Sequence, residues 1–157
     1  MSDEPATHAG ASTQQPSRRQ PEPPLSVVVN FHNMRREAQR TLYSLTPAYQ
    51  RGVADLRYEV LVIDNGSTEP LDEESVRDFG PQFQYKLRRT QSVSPVAGVN
   101  EAVAQARAPF VVIKIDGAHI LTPGVLSLTA KALQMFARPF VVTVPSILVP
   151  DRKARQV

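Results

Sequence analysis

Two aspartates stand directly behind runs of largely apolar, β-branched residues: Asp64 behind Tyr58–Ile63 and Asp116 behind Phe110–Ile115. A carboxylate so placed can accept hydrogen bonds from a ribose hydroxyl, from a base N–H, or from water on a bound cation. The runs themselves read as strands buried on both faces of a parallel sheet. Both carboxylates therefore fall at the carboxyl ends of strands, the edge where open α/β sheets bind ligands. Asp64 opens a turn cluster, Asp64-Asn65-Gly66-Ser67-Thr68. Asp116 is followed by Gly117, His119, Thr122 and Pro123, the last two suited to a helix cap and a first helical position. Each aspartate also has a purely structural reading. Asp64 can organise its own turn through an Asx-type bond, and Asp116 can cap Gly117 and Ala118.

The elements that would carry these residues alternate along the chain. Residues 1–24 hold Pro5, Pro16, Pro21, Pro23 and Pro24 among small polar residues, with too little apolar surface to offset the entropy of ordering. They read as a disordered tail. Order begins at Leu25, and Ser26–Asn30 is a short buried strand followed by the loop Phe31-His32-Asn33, in which Asn33 can cap a helix. Met34, Ala38, Leu42 and Leu45 recur at helical spacing up to Pro47. The strand Tyr58–Ile63 follows, then an acidic helix over Leu71–Phe79 and a weakly alternating edge strand over Phe83–Leu87. Gly98–Arg107 is a helix whose small residues allow close packing on a sheet, and it leads into Phe110–Ile115. A helix over Pro123–Phe136 and a last strand over Phe140–Val144 complete the domain, taken as residues 25–150. Residues 151–157 read as a frayed basic tail. This alternation predicts an α/β fold with a mostly parallel open sheet flanked by helices.

Composition narrows the function. The 157 residues suffice for one domain with a real core. With no cysteine, disulfides, thiolate metal sites and a cysteine nucleophile are ruled out, and a reducing compartment fits. A net charge of +3 without a basic, aromatic-studded patch gives no support to nucleic-acid binding. No apolar run reaches the roughly 20 residues of a membrane span, and no secretory signal pattern opens the chain. A cytoplasmic location, free or peripheral at a membrane, is expected. The first strand is followed by no glycine-rich fingerprint, and neither a phosphate loop nor a G-x-S-x-G elbow occurs.

The sequence SVVVNFHN, then a helix, then YEVLVIDNGST resembles the opening of family 2 glycosyltransferases, which use nucleotide sugars on a GT-A, Rossmann-like fold. The family's D-[DN]-G-S-x-[DE] motif is matched by Asp64, Asn65, Gly66, Ser67, Thr68 and Glu69. Gly98, Asn100, Ala102 and Ala106 match a later helix, and Ile115, Asp116 and Pro123 match part of its L-D-x-D-D-x-x-x-P motif. The resemblance covers about residues 25–145. It implies that Asp64, with Asn65, Gly66 and Ser67, holds the nucleoside, that Asn30, Phe31 and His32 wall the base and ribose, and that Asn100 and Asp116 complete the site. It implies a nucleotide diphosphate sugar as partner, a UDP-sugar first, and transfer of the sugar to an acceptor hydroxyl with inversion.

The sequence departs from the family at points that matter. Where the second aspartate of D-x-D would hold a divalent Mn or Mg ion stands Ala118, which has no ligand atom. His119, one residue on, is the candidate replacement beside Asp116, since imidazole can bind Mn²⁺. Lys114 stands in an otherwise apolar strand, either ion-paired or lending charge to a diphosphate. The chain is short for the family, so the fold reads as truncated: no catalytic base is nominated and the acceptor is unassigned. Lack of a partner strand predicts an open flank along Phe110–Ile115, unless the last strand shifts inward. The alternative is a non-catalytic remnant of the same fold that binds a nucleotide or a partner. A nucleotidyltransferase is weaker still, because the glycine- and arginine-rich first loop of such enzymes is absent.

Overall fold

The computed structural model describes residues 24–114 and 119–143. Nearly all of the two expected tails, together with Asp116, Gly117 and Ala118, lies outside those residues. Four parallel strands form one sheet in the order β3-β2-β1-β4: β1 (Leu25–Phe31), β2 (Tyr58–Asn65), β3 (Phe83–Arg88) and β4 (Phe110–Lys114). The helices are α1 (Arg35–Tyr43), α2 (Glu73–Arg77), α3 (Val96–Gln105) and α4 (Val125–Gln134). The expected α/β architecture is what the chain adopts.

Every residue of β1 and β2 is buried, as their unbroken apolar runs require. Side chains alternate between two cores. Val27, Val29, Phe31, Val60 and Val62 join Leu42 and Leu45 around α1, Val76 of α2 and Leu126 and Leu133 of α4. On the other face Val28, Leu61 and Ile63 pack on Ala102 of α3. Gly98 is needed for that approach: a Cβ there would lie 3.1 Å from Asn30 Oδ1 and 3.2 Å from Ile63 Cγ2.

Several boundaries differ from the sequence reading. Strand β2 runs two residues past Ile63, because β1 and β3 extend beside it and pair Asp64 with both Phe31 and Leu87. Helix α4 starts after Pro123 rather than at it. Gly124, at φ 95°, is the N-cap residue, and the buried Gln50 carboxamide accepts from Gly124 N and Leu126 N at 3.1 and 3.4 Å in place of Thr122. Residues 140–143 of the expected last strand are not in a strand, and Phe140 is 90% exposed. A single short strand with no ladder to join has nothing to hold it extended. Among the described residues β4 pairs only with β1, and Ile113 is half exposed, so the expected open flank is present. No helix among the described residues is long and apolar enough to cross a membrane.

At the amino end of the sheet one carboxylate ties three strands together. Glu59 of β2, 1% exposed, accepts from Ser26 Oγ of β1 at 2.6 Å and Gln84 Nε2 of β3 at 3.0 Å. It also accepts from the Arg107 backbone N–H at 2.8 Å and guanidinium at 2.7 Å, fixing the chain between α3 and β4. Burial works to raise its pKa, but the Ser26 and Arg107 hydrogen bonds together hold it below the ordinary 4.5. A folded-state pKa below the unfolded one means that the contribution is complete above about 4.5 and is lost as pH falls through the folded value. Urea unfolding at pH 7 and at stepwise lower pH should show Glu59→Ala costing about 2–3 kcal/mol at neutral pH. Glu59→Gln should flatten the acid loss of stability seen in the parent.

Candidate functional site

Parallel pairing puts the carboxyl ends of all four strands on one edge. The chain steps outward from β1 to β2 to β3, then returns to the far side of β1 as β4. The strand order therefore reverses between β1 and β4, and an open α/β sheet leaves a crevice at such a point. Asn30, Phe31 and His32 end the β1 side of it. Asp116, expected on the β4 side, lies outside the described residues, while His119 is exposed just beyond and its carbonyl accepts from Thr41 Oγ1 at 3.4 Å.

The β2 end is built around Asp64. Its side chain has no exposed surface, and both oxygens are engaged: Oδ1 accepts from Ser67 N at 3.2 Å and Oδ2 from Leu71 N at 2.8 Å. Those bonds curl residues 66–71 back over the strand end. Gly66 sits at φ 72° with its α-carbon so close to β3's exit that a Cβ would meet the Thr90 carbonyl oxygen at 2.2 Å. Only glycine fits there. The Tyr85 hydroxyl lies beside the carboxylate without a well-formed hydrogen bond of its own. Burial, and next the Asp64 charge, push it up to about 12.

Asn33 does not cap α1, as the sequence suggested. The N-cap position is Met34, with no side-chain hydrogen bond. Asn33 adopts φ 54°, which asparagine tolerates better than most residues, and reaches across to the β2 turn. Its N–H donates to Ser67 Oγ and its Oδ1 accepts from Thr68 N, both at 2.8 Å. His32 adds a second clasp. Its Nδ1 donates to the Asn65 carbonyl at 2.8 Å, and Nε2 faces Asn33 Nδ2 at 3.3 Å as acceptor, the tautomer those partners require. The two loops form one unit.

The remaining expected residues divide between structure and surface. Asn65 is buried; its Nδ2 donates to the Ser92 and Ser94 carbonyls at 3.1 and 3.0 Å, and its Oδ1 accepts from Arg88 at 3.3 Å. It thereby anchors the segment between β3 and α3. Asn30 is 4% exposed, and its Oδ1 has no hydrogen-bond partner among the described residues. Phe31 is fully buried in the α1-side core, on the opposite face from Asn30, so its ring is a packing group in this conformation. Asn100 is exposed on α3.

A groove of about 680 Å³ opens between the two loops that Asp64 and Asn65 secure. One wall is Gly66, Ser67, Thr68 and Pro70; the other is Leu87, Arg89, Thr90 and Gln91. The second wall was missed from sequence, although the third strand's carboxyl end must open on the same edge as the others. Among the described residues no group of three or more His, Cys, Asp or Glu side chains could hold a metal ion. His119 is the one expected ligand within them.

Residues 26–155 match the family model described as "Glycosyl transferase family 2". No curated protein matches the chain.

The engaged Asp64 carboxylate makes a measurable demand on stability. Asp64→Ala strands the buried Leu71 N–H and the part-buried Ser67 N–H and is expected to cost about 2–4 kcal/mol in denaturant unfolding. Asp64→Asn, which keeps one oxygen acceptor, should cost clearly less. Equal midpoints for the parent and Asp64→Ala would contradict the role assigned to this carboxylate in the turn.

Proposed function

The chain belongs to glycosyl transferase family 2, and we propose that it binds a nucleotide diphosphate sugar along the carboxyl edge of its sheet. The family match over residues 26–155 carries this reading. The clasped loops after β1 and β2 support it, since they present a pre-formed surface where such folds bind ligands. In this reading the turn from Asp64 to Ser67, with Asn30, His32 and the backbone of Phe31, frames the nucleoside, and the diphosphate runs toward Asp116, with Asn100 of α3 as a further candidate. UDP is the first candidate. A cytoplasmic place, free or at a membrane surface, accords with the lack of cysteine.

The chemistry proposed is direct displacement. An acceptor hydroxyl oxygen attacks the anomeric carbon, the bond from that carbon to the diphosphate oxygen breaks, and configuration inverts. The hydroxyl proton passes to a general base. A divalent ion would supply charge neutralisation to the departing diphosphate. Asp116 and His119 are the candidate ligands in this chain.

A second reading has its own observation in Ala118, which carries no ligand atom where the family motif has an aspartate. It describes a domain that binds the nucleotide and does not turn it over. Calorimetry with UDP, GDP, CDP and ADP tests binding, and release of nucleoside diphosphate from the matching sugar donors with Mn²⁺ tests turnover. Binding with release is expected. Binding without release, even with a panel of acceptors, favours the second reading, and no binding by any nucleotide removes both.

A further inference from the structure

Helix α4 is apolar on two sides. Leu126 and Leu133, two turns apart, are buried in the main core. Leu128 and Met135, also two turns apart, fall on the opposite side by the helical period and are 66% and 73% exposed. The chain after the helix continues in kind, with Phe136, Phe140 and Val142 all exposed. A surface helix ordinarily turns polar residues away from the core. Large apolar side chains gathered on the outside mark a face that meets something other than water.

Charge indicates what it meets. From Gly117 to Pro150 the sequence has no aspartate or glutamate. Lys131 stands on the outer side of α4 beside Met135, and Arg138 lies just beyond the helix, both exposed. The loop against the start of α4, where Arg51 approaches Gly124 and Gly52 approaches Ser127, holds Arg51 and Arg57 against one acid, Asp55. A second copy of this chain is a poor occupant. A two-fold contact sets the same patch on both sides, so Lys131 and Arg138 would meet their own like charges with no acid between them. An anionic lipid surface answers both features, with phosphates for the cations and acyl chains for the apolar groups.

We propose that the outer side of α4, with residues 135–142, docks on a bilayer that carries anionic headgroups. Leu128, Met135, Phe136 and Phe140 enter the boundary between headgroups and acyl chains. Lys131 and Arg138 lay their aliphatic stems along that boundary and keep their charges among the phosphates. The contact lies on the bilayer and spans nothing, in keeping with the lengths of the described helices. Each cation contributes about fivefold to partition at low salt, and each large apolar side chain that enters contributes about tenfold.

The test is co-sedimentation of the full chain with vesicles of phosphatidylcholine alone and with about one-quarter phosphatidylglycerol. Partition onto the anionic vesicles should exceed that onto the neutral ones by about twentyfold or more at low salt. Lys131→Glu and Arg138→Glu should each lower it about fivefold or more. That effect should shrink near 0.5 M salt, where the screening length is roughly 4 Å. Met135→Ser and Phe136→Ser should each lower partition about tenfold at either salt. All four side chains are exposed, so these variants should unfold at the parent's midpoint, which circular dichroism checks. Because the chain has no tryptophan, Phe136→Trp supplies a single emission reporter, which should move to shorter wavelength on anionic vesicles. Sedimentation without that shift, and unchanged by Phe136→Ser, would assign adhesion to Arg152, Lys153 and Arg155 and overturn the proposal. Equal partition onto both vesicle types, or onto neither, overturns it as well. A dimer in analytical ultracentrifugation that Met135→Ser abolishes, with no vesicle binding, gives the face to a second copy instead.

Discussion

A carboxylate with no exposed surface must find its hydrogen bonds inside the protein, and Asp64 finds both in the backbone just downstream of itself. That requirement shapes the whole β2 exit. The turn is pulled back over the strand end, Gly66 is pressed against the Thr90 carbonyl, and the N–H of Thr68 is turned toward Asn33. One buried charge thus fixes the relative positions of three strand exits. The groove between β2 and β3 is what remains open once those bonds are made.

Glu59 applies the same logic at the other end of β2. The strand is buried throughout, yet it carries an acidic residue near each end, and each carboxylate is answered by groups from neighbouring segments. Glu59 gathers β1, β3 and the entry to β4, so the amino edge is locked by a charge-assisted network. The carboxyl edge is locked mainly by neutral backbone donors. A locked amino edge and a clasped carboxyl edge leave little freedom in β1 and β2, the strands that frame the candidate site.

The β4 side is built differently. Strand β4 has one neighbour among the described residues and is only half covered, and apolar side chains on and after α4 such as Leu128, Met135 and Phe136 are exposed. Cohesion there comes from Gln50, whose carboxamide holds the start of α4, and from Leu126 and Leu133 in the main core. Binding surface and stability are therefore unevenly shared: the nucleoside end of the proposed site rests on the most buried part of the molecule.

The sequence by itself determined the class of fold and the parallel sense of its strands. Apolar runs of strand length alternating with helical periodicity permit few other solutions. It also picked out Asp64 and its turn, because an acidic residue closing an apolar run is conspicuous in one dimension. What it left undecided were contacts between segments far apart in the chain. Asn33 reads as a cap beside its own helix, and only the neighbouring β2 turn makes it a clasp. Thr122 has the local credentials of a cap, and Gln50, more than 70 residues away, takes its place. Arg89 and Gln91, which line the groove and make no hydrogen bond or ion pair among the described residues, look in sequence like any polar loop. Their significance depends on which neighbouring polar atoms the fold has already used, and that accounting exists only once the strands are side by side.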